Sequence, residues 1–216
     1  MTTPALALSN SLQALALRQW RDYQWATPGR AFADPELLLT AEEAYAVQME
    51  VARLRCAAGD AVAGYKIGCI GPGVVKQFGM SGPIHARLFR SEIHEPGCML
   101  RHAAYANLAI EGEMALRIGD NANIVAAFPV IELHHFVFRA QKKTLVELIA
   151  NNGTNAGAVV PRMVKRCRLT IGGMQRPYRF PSMERPSILA PCGQCLAARP
   201  RPSTGCEAIL LALAKP

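Results

Sequence analysis

Three glutamates and a lysine are the residues of this sequence best placed to do chemistry. Glu111 and Glu113 lie in Leu108–Ile118, an alternating stretch that reads as a β-strand. Alternation puts Leu108, Ile110, Gly112, Met114, Leu116 and Ile118 on one face and Ala109, Glu111, Glu113, Ala115 and Arg117 on the other. The two carboxylates then share a face, about 6.5 Å apart along the strand. Glu132 sits in Phe-Pro-Val-Ile-Glu-Leu, an apolar setting in which an unpaired carboxylate is costly. A common cation accounts for all three. Carboxylates without an obligatory thiol form a hard oxygen site that suits Mg²⁺ or Mn²⁺. From spacing alone, Glu111 and Glu113 equally well line a solvated strand face.

Lys66 is the fourth. It stands in Gly-Tyr-Lys-Ile-Gly, and only four lysines precede residue 162. Apolar neighbours and close-packed backbone point to an ammonium held in a cleft, where it binds a substrate carboxylate or serves as a base. The plain alternative is a strand-end lysine reaching solvent. His134 and His135 follow Glu132. Neighbours on a strand point to opposite faces, so at most one of them faces the site, and polar packing accounts for both.

These residues need elements to hold them. Ala5 to Tyr23 reads as a helix through Leu8, Leu12, Leu15 and Leu17, followed by a loop at Pro28, Gly29 and Pro35. Thr40 and Glu43 form a capping box ahead of Ala44, Val47, Val51 and Leu54, which continue at helical spacing to about Gly59. Strands are expected at Ala63–Ile67, Leu108–Ile118, Val125–Leu133 and Gly157–Val160, with a helix over Lys143–Ala150. Helical spacing returns at Ala208–Ala214.

Composition narrows the function classes. Half of the 216 residues are apolar, enough to bury a core. No apolar run is long enough to span a membrane and no secretory signal opens the chain, which points to the cytoplasm. The formal charge of +8 does not mark a nucleic-acid binder. Residues 1–161 hold 14 basic and 14 acidic residues, whereas residues 162–216 hold 10 basic residues against Glu184 and Glu207. Seven cysteines, irregularly spaced, read as free thiols. Cys192 and Cys195 form a CxxC near Cys206, without the second pair that a zinc site needs.

The motifs occur in an order that resembles the 2-hydroxypenta-2,4-dienoate hydratase (2-keto-4-pentenoate hydratase) family of the fumarylacetoacetate hydrolase superfamily. Ala44-Tyr45-x-Val47-Gln48 resembles its helical motif, and Gly64-Tyr65-Lys66-Ile67-Gly68 its GxKIG motif. Pro83, Leu88 and Phe89 resemble the segment that follows. Glu111-Gly112-Glu113 is similar to its ExE metal motif, and Pro129-Val130-Ile131-Glu132 to the strand with the third ligand. Leu148 to Gly153 resembles its IADN segment. The resemblance covers about residues 5–173.

The resemblance implies an α+β fold: a helical N-terminal segment (1–60), then a β-rich sandwich or roll as the catalytic core (61–173). It implies metal ligation by Glu111, Glu113 and Glu132, catalysis or substrate binding by Lys66, substrate binding by Asn152, and Mg²⁺ or Mn²⁺ as cofactor. The implied reaction is hydration of a 2-hydroxy-2,4-dienoate in meta-cleavage breakdown of aromatic compounds, by a homo-oligomer without nucleic-acid or membrane partners. Two departures bear on the substrate. Ile84, His85 and Ala86 follow Pro83 where the family has Asp and Gly, and His135-Phe136-Val137 replaces its Asp-Ser-Arg. Decarboxylation of a 2-oxo dioate, C–C hydrolysis of an acylpyruvate and a non-catalytic relic stand as alternatives.

Residues 174–216 form a basic, Pro/Arg-rich tail with neither period, apart from Ala208–Ala214. Shifting the codon frame between Cys195 and Ile209 permits P-G-G-P-A-A-S-L-D-W-L-R-S-H, which resembles the family's stretch before its terminal strands. The tail is therefore expected to be translated out of frame, with the closing strands missing.

Overall fold

The computed structural model describes residues 9–26, 37–69, 72–79, 83–119, 124–135, 144–161 and 208–212. The loop at Pro28 to Pro35, Cys192, Cys195, Cys206 and most of the basic tail lie outside the described residues.

Two helices open the chain, α1 (Asn10–Gln24) and α2 (Ala41–Ala57). Ser9 caps α1, and its side chain accepts from the Leu12 N–H. The expected capping box begins α2: Thr40 accepts from the Glu43 N–H, while the Glu43 carboxylate accepts from the Thr40 N–H. The strands follow as β1 (Val62–Gly68), β2 (Ile84–Phe89), β3 (Ile93–His94), β4 (Ala109–Ile118), β5 (Ile124–His134), β6 (Asn155–Val159) and β7 (Ala208–Ala212). Two short helices, α3 (Pro72–Phe78) and α4 (Leu145–Ala150), interrupt them. Among the described residues no helix is long and apolar enough to cross a membrane.

The architecture is α+β, with one mixed sheet in the order β2-β1-β7-β4-β5-β6-β3. The sheet curls on itself. Leu88 of β2 shares a buried cluster with Ala115, Phe128, Val130 and Ala158, although β2 and β6 stand far apart in the strand order. A second cluster joins the helices to the sheet through Ala16, Ala44, Val47, Ile84 and Ile149. Gln48 is buried between them and donates to the carbonyls of His85 and Ile149. Arg55 ties α2 to the turn before β3, pairing with Glu92 and Asp60 and lying against the Phe89 ring. Such a guanidinium leaves water because both of its terminal nitrogens and its flat face find partners.

The C-terminal segment corrects one expectation. Ala208–Ala212 is a strand, and it occupies the interior of the sheet, parallel to β1 and antiparallel to β4. The strand position beside β4 is therefore filled from within this chain, and the helical spacing of Ala208–Ala214 was misleading. A short apolar run satisfies either period, and two waiting strand edges decide the matter.

Candidate metal centre

The register of β4 and β5 builds the site. Glu111 pairs directly with Glu132, and Glu113 with Val130. Cross-strand partners share a face, so all three glutamates lie on the face that also carries Ala115, Phe128 and Val130. This face is the core side of the sheet. The opposite face looks more apolar in sequence, yet Ile110 is 63% exposed while Glu113 is 6% exposed.

His134 joins the group. It lies two residues beyond Glu132 on β5 and shares its side of the strand. Glu111, Glu132 and His134 each offer a donor atom, all within 4.8 Å of one another, a set that can hold a metal ion. His134 Nε2 is 3.4 Å from Glu132 Oε2. His135 points the other way: its Nδ1 accepts from the Ala106 N–H, and its Nε2 lies 3.3 Å from the Tyr23 carbonyl.

Lys66 reaches the same place from β1. It is 5% exposed, pairs with Glu132 Oε1 and donates to the Gly153 carbonyl at 2.9 Å. The solvent-reaching alternative is thereby replaced by a buried ion pair. Glu113 stands outside the group of three but close to it. Neither of its oxygens has a hydrogen-bond partner among the described residues. Burial, and then the charges of Glu132 and Glu111, push its carboxyl up to about 7. Burial also pushes Glu132 upward, but hydrogen bonds from His134 and Lys66 and their charges hold it below the ordinary carboxylate range.

A strained turn completes the site. Asn152, Gly153 and Thr154 have φ of 54°, 58° and 59° in succession. Left-handed backbone is costly for a β-branched threonine. The turn aims the Gly153 carbonyl at Lys66 and brings the Thr154 hydroxyl to 3.0 Å from His134 Nδ1. A Cβ on Gly153 would meet Ala86 Cβ at 3.3 Å and Lys66 Cε at 3.5 Å, so the residue must also be small. Asn152 uses its amide on β2, accepting from the Arg87 N–H and donating to the Arg87 carbonyl, both at 2.8 Å. Its side chain holds the turn to the sheet.

The glutamates and Lys66 were visible in sequence. Gly153 and Thr154 carry no residue type that points to chemistry, and the polar packing expected of His134 gives way to a place beside Glu132. The available signal for His134 was its even spacing from Glu132.

No family model matches the chain, and no curated protein matches it in sequence. Its fold has relatives among solved structures. The 4-oxalocrotonate decarboxylase from Pseudomonas putida G7, complexed with magnesium and adipate, aligns with a TM-score of 0.65 at 19% identity, covering 73% of this chain and 64% of that one. The same enzyme complexed with calcium and acetate gives 0.63 at 19% identity, over 73% and 63%. The chain thus shares a fold with a 4-oxalocrotonate decarboxylase while spanning less than two thirds of that enzyme's length.

Proposed function

We propose that this chain is a divalent-cation-dependent enzyme of the fumarylacetoacetate hydrolase superfamily that adds water to a 2-hydroxy-2,4-dienoate. The observation that carries this reading is the convergence of Glu111, Glu132 and His134 beside the buried carboxyl of Glu113, which has no hydrogen-bond partner among the described residues. Three carboxyl groups facing one ammonium leave the site short of positive charge, and that is the condition a cation relieves.

Glu111, Glu132 and His134 would hold the cation, with Glu113 adjacent. When bound, the cation supplies the positive charge that receives the carboxylate and 2-oxo oxygen of the substrate. Lys66 keeps Glu132 ionised and oriented, and its ammonium offers a contact for a substrate carboxylate. Glu113, buried beside these residues, is the carboxyl that would exchange a proton with the substrate in both directions. As carboxylate it takes the proton of the dienol hydroxyl; as acid it returns a proton to the far end of the conjugated chain. Water then adds to the remaining double bond and gives a 4-hydroxy-2-oxo acid, as meta-cleavage breakdown of aromatic compounds requires.

A second reading is decarboxylation of a 2-oxo dioate, favoured by the shared fold with 4-oxalocrotonate decarboxylase. Fold alone does not fix chemistry, so substrate decides. The full chain is given 2-hydroxypenta-2,4-dienoate with Mg²⁺ or Mn²⁺. Hydration consumes the dienol absorbance and yields a product one water heavier. Carbon dioxide from a 2-oxo dioate, with no dienol consumed, replaces the hydratase by the decarboxylase. Cleavage of an acylpyruvate replaces it by the hydrolase, and no turnover of any of the three leaves a non-catalytic relic.

A further inference from the structure

The left-handed turn Asn152–Thr154 is held from two sides. From the sheet, Lys66 donates to the Gly153 carbonyl, and the Arg87 backbone engages the Asn152 amide. From the other side it is held by α1, which the proposed function does not use. The inward stripe of α1 runs Leu12, Ala16, Gln19, Tyr23 at helical spacing. It is apolar in its first half and polar in its second, and the polar half meets the turn.

Gln19 is buried, and its Nε2 donates to Asn151 Oδ1. Asn151 Nδ2 donates to the Glu147 carbonyl at 2.9 Å, so this amide has a single orientation. The Asn151 carbonyl accepts from the Thr154 N–H at 2.9 Å and closes the turn. Gln19 thus fixes the residue on which the turn begins.

Tyr23 fixes the far end. Its hydroxyl donates to Glu92 and lies 3.4 Å from the Asn155 carbonyl, while Asn155 Nδ2 donates to the same Glu92 carboxylate at 2.9 Å. Tyr23 also stands in the last turn of α1, where backbone carbonyls lack helical partners. His135 reaches that carbonyl. Its Nδ1 accepts from the Ala106 N–H, so the proton of the neutral ring lies on Nε2, 3.3 Å from Tyr23 O. The His135 N–H in turn donates to the Thr154 carbonyl at 2.9 Å.

The seat of α1 is thin. Ala16 and Gln19 are its buried residues, and Leu17 and Trp25 are exposed. A cavity of about 20 Å³, room for a water, lies between Gln19, Tyr23, Arg55 and Asn151. A helix seated on so little apolar surface opens more readily than the sheet beneath it. Three successive left-handed residues, one of them a threonine, persist only while their surroundings over-determine them. Losing one of the two supports therefore frees the turn.

We propose that α1 is a detachable strap on the site: Gln19 and Tyr23 are positioning residues that hold the turn left-handed, and undocking of α1 releases the Gly153 carbonyl from Lys66. The action of Lys66 on a substrate rests on the proposed function, whereas the coupling of α1 to the turn does not.

The test is residue-resolved amide hydrogen exchange of the full chain, with urea unfolding and turnover of 2-hydroxypenta-2,4-dienoate measured alongside. An undocked helix of 15 residues is marginal in water, so the amides of α1 report undocking. In the unaltered chain these amides and those of Thr154 and His135 are expected to open as one unit, ahead of the β4–β5 ladder. In Gln19→Leu/Tyr23→Phe, Thr154 and His135 are expected to exchange about 10-fold faster or more, with the ladder amides unchanged. The Thr154 ¹³Cα shift, which reports its left-handed backbone, moves toward the unfolded value, and turnover falls by roughly 10–100-fold. Turn amides that keep their unaltered rate in the variant overturn the proposal. Uniform acceleration that tracks a lower urea midpoint overturns the positioning role, because α1 then only adds stability. Should the variant not fold, the unaltered chain decides: α1 opening while Thr154 and His135 stay protected overturns the strap. If exchange behaves as expected and the unaltered chain does not turn over the dienoate, the strap stands and the proposed function falls.

Discussion

Glu111 and Glu132 are direct cross-strand partners on β4 and β5, so two carboxylates meet where a sheet ordinarily places complementary side chains. Like charges in this position are destabilising by roughly 0.2–1 kcal/mol. Glu111→Gln is therefore expected to stabilise the metal-free protein slightly and to weaken its response to Mn²⁺. Thermal unfolding with and without Mn²⁺ reads both effects. A variant that loses stability without metal, yet gains as much from Mn²⁺ as the unaltered chain, rules out the ligand role of Glu111.

Lys66 carries a larger share of stability. Glu132 is 4% exposed and pairs with Lys66. Truncating one partner of a buried pair leaves the other charge uncompensated, at a cost of about 3–5 kcal/mol. Lys66→Ala is expected to lower the urea midpoint accordingly, and the double variant Lys66→Met/Glu132→Leu to recover most of the loss. If the single variant unfolds like the unaltered chain, the ion pair contributes nothing. Where Lys66→Ala remains folded, a fall in kcat of about 10²–10⁴-fold assigns it to proton transfer. A rise in KM alone assigns it to substrate binding.

Much of this arrangement follows from periodicity that a sequence displays. Period two groups Glu111 with Glu113 and separates His134 from His135. The Thr40–Glu43 box marks the start of α2 without any tertiary information. The burial of the acidic face is less accessible, because Ile110 and Met114 make the other face look like the core. What reverses the faces is the curl of the sheet, which brings Leu88 of β2 against Ala158 of β6. The Lys66–Gly153 bond joins residues far apart in the chain and depends on left-handed backbone that Asn152 and Gly153 favour but Thr154 does not. Ile84–Phe89 is short and contains His85 and Arg87, so its alternation is too brief to stand out.

The pH dependence of stability has a definite sign. Glu113 is raised from 4.5 to about 7 in the folded protein, so the folded state holds its proton where the unfolded chain has released it. The contribution of Glu113 to stability therefore falls as pH rises from about 4.5 to about 7, by an amount on the order of 1–3 kcal/mol in metal-free protein. Asp60 is lowered by its bonds to Ser91 and Arg55 against the opposing effect of burial, and its contribution is lost only as pH falls below its ordinary 3.8. The two windows do not overlap. Glu113→Gln is expected to remove that contribution between about pH 4.5 and 7 and to leave the acid limb intact. Urea titrations across that range check this, and an unchanged slope shows that Glu113 is not the group responsible.

The sheet also makes the C-terminal segment a structural requirement. β7 is the strand that joins β1, which carries Lys66, to β4, which carries Glu111 and Glu113. Lys66 and Ala115 both find their backbone partner in Leu211. Ending the chain at Glu207 leaves two unpaired edges in the middle of the sheet and breaks the ladder across which Lys66 reaches Glu132. We expect the truncated chain to aggregate and to lose Mn²⁺ binding. Leu210→Pro interrupts the same ladder without shortening the chain, because a proline in a central strand removes a donor and strains its neighbours. Both variants are compared with the full chain by light scattering and by Mn²⁺ titration. If the chain ending at Glu207 unfolds as cooperatively as the full chain and binds Mn²⁺ as well, β7 is dispensable to the fold and to the cation site.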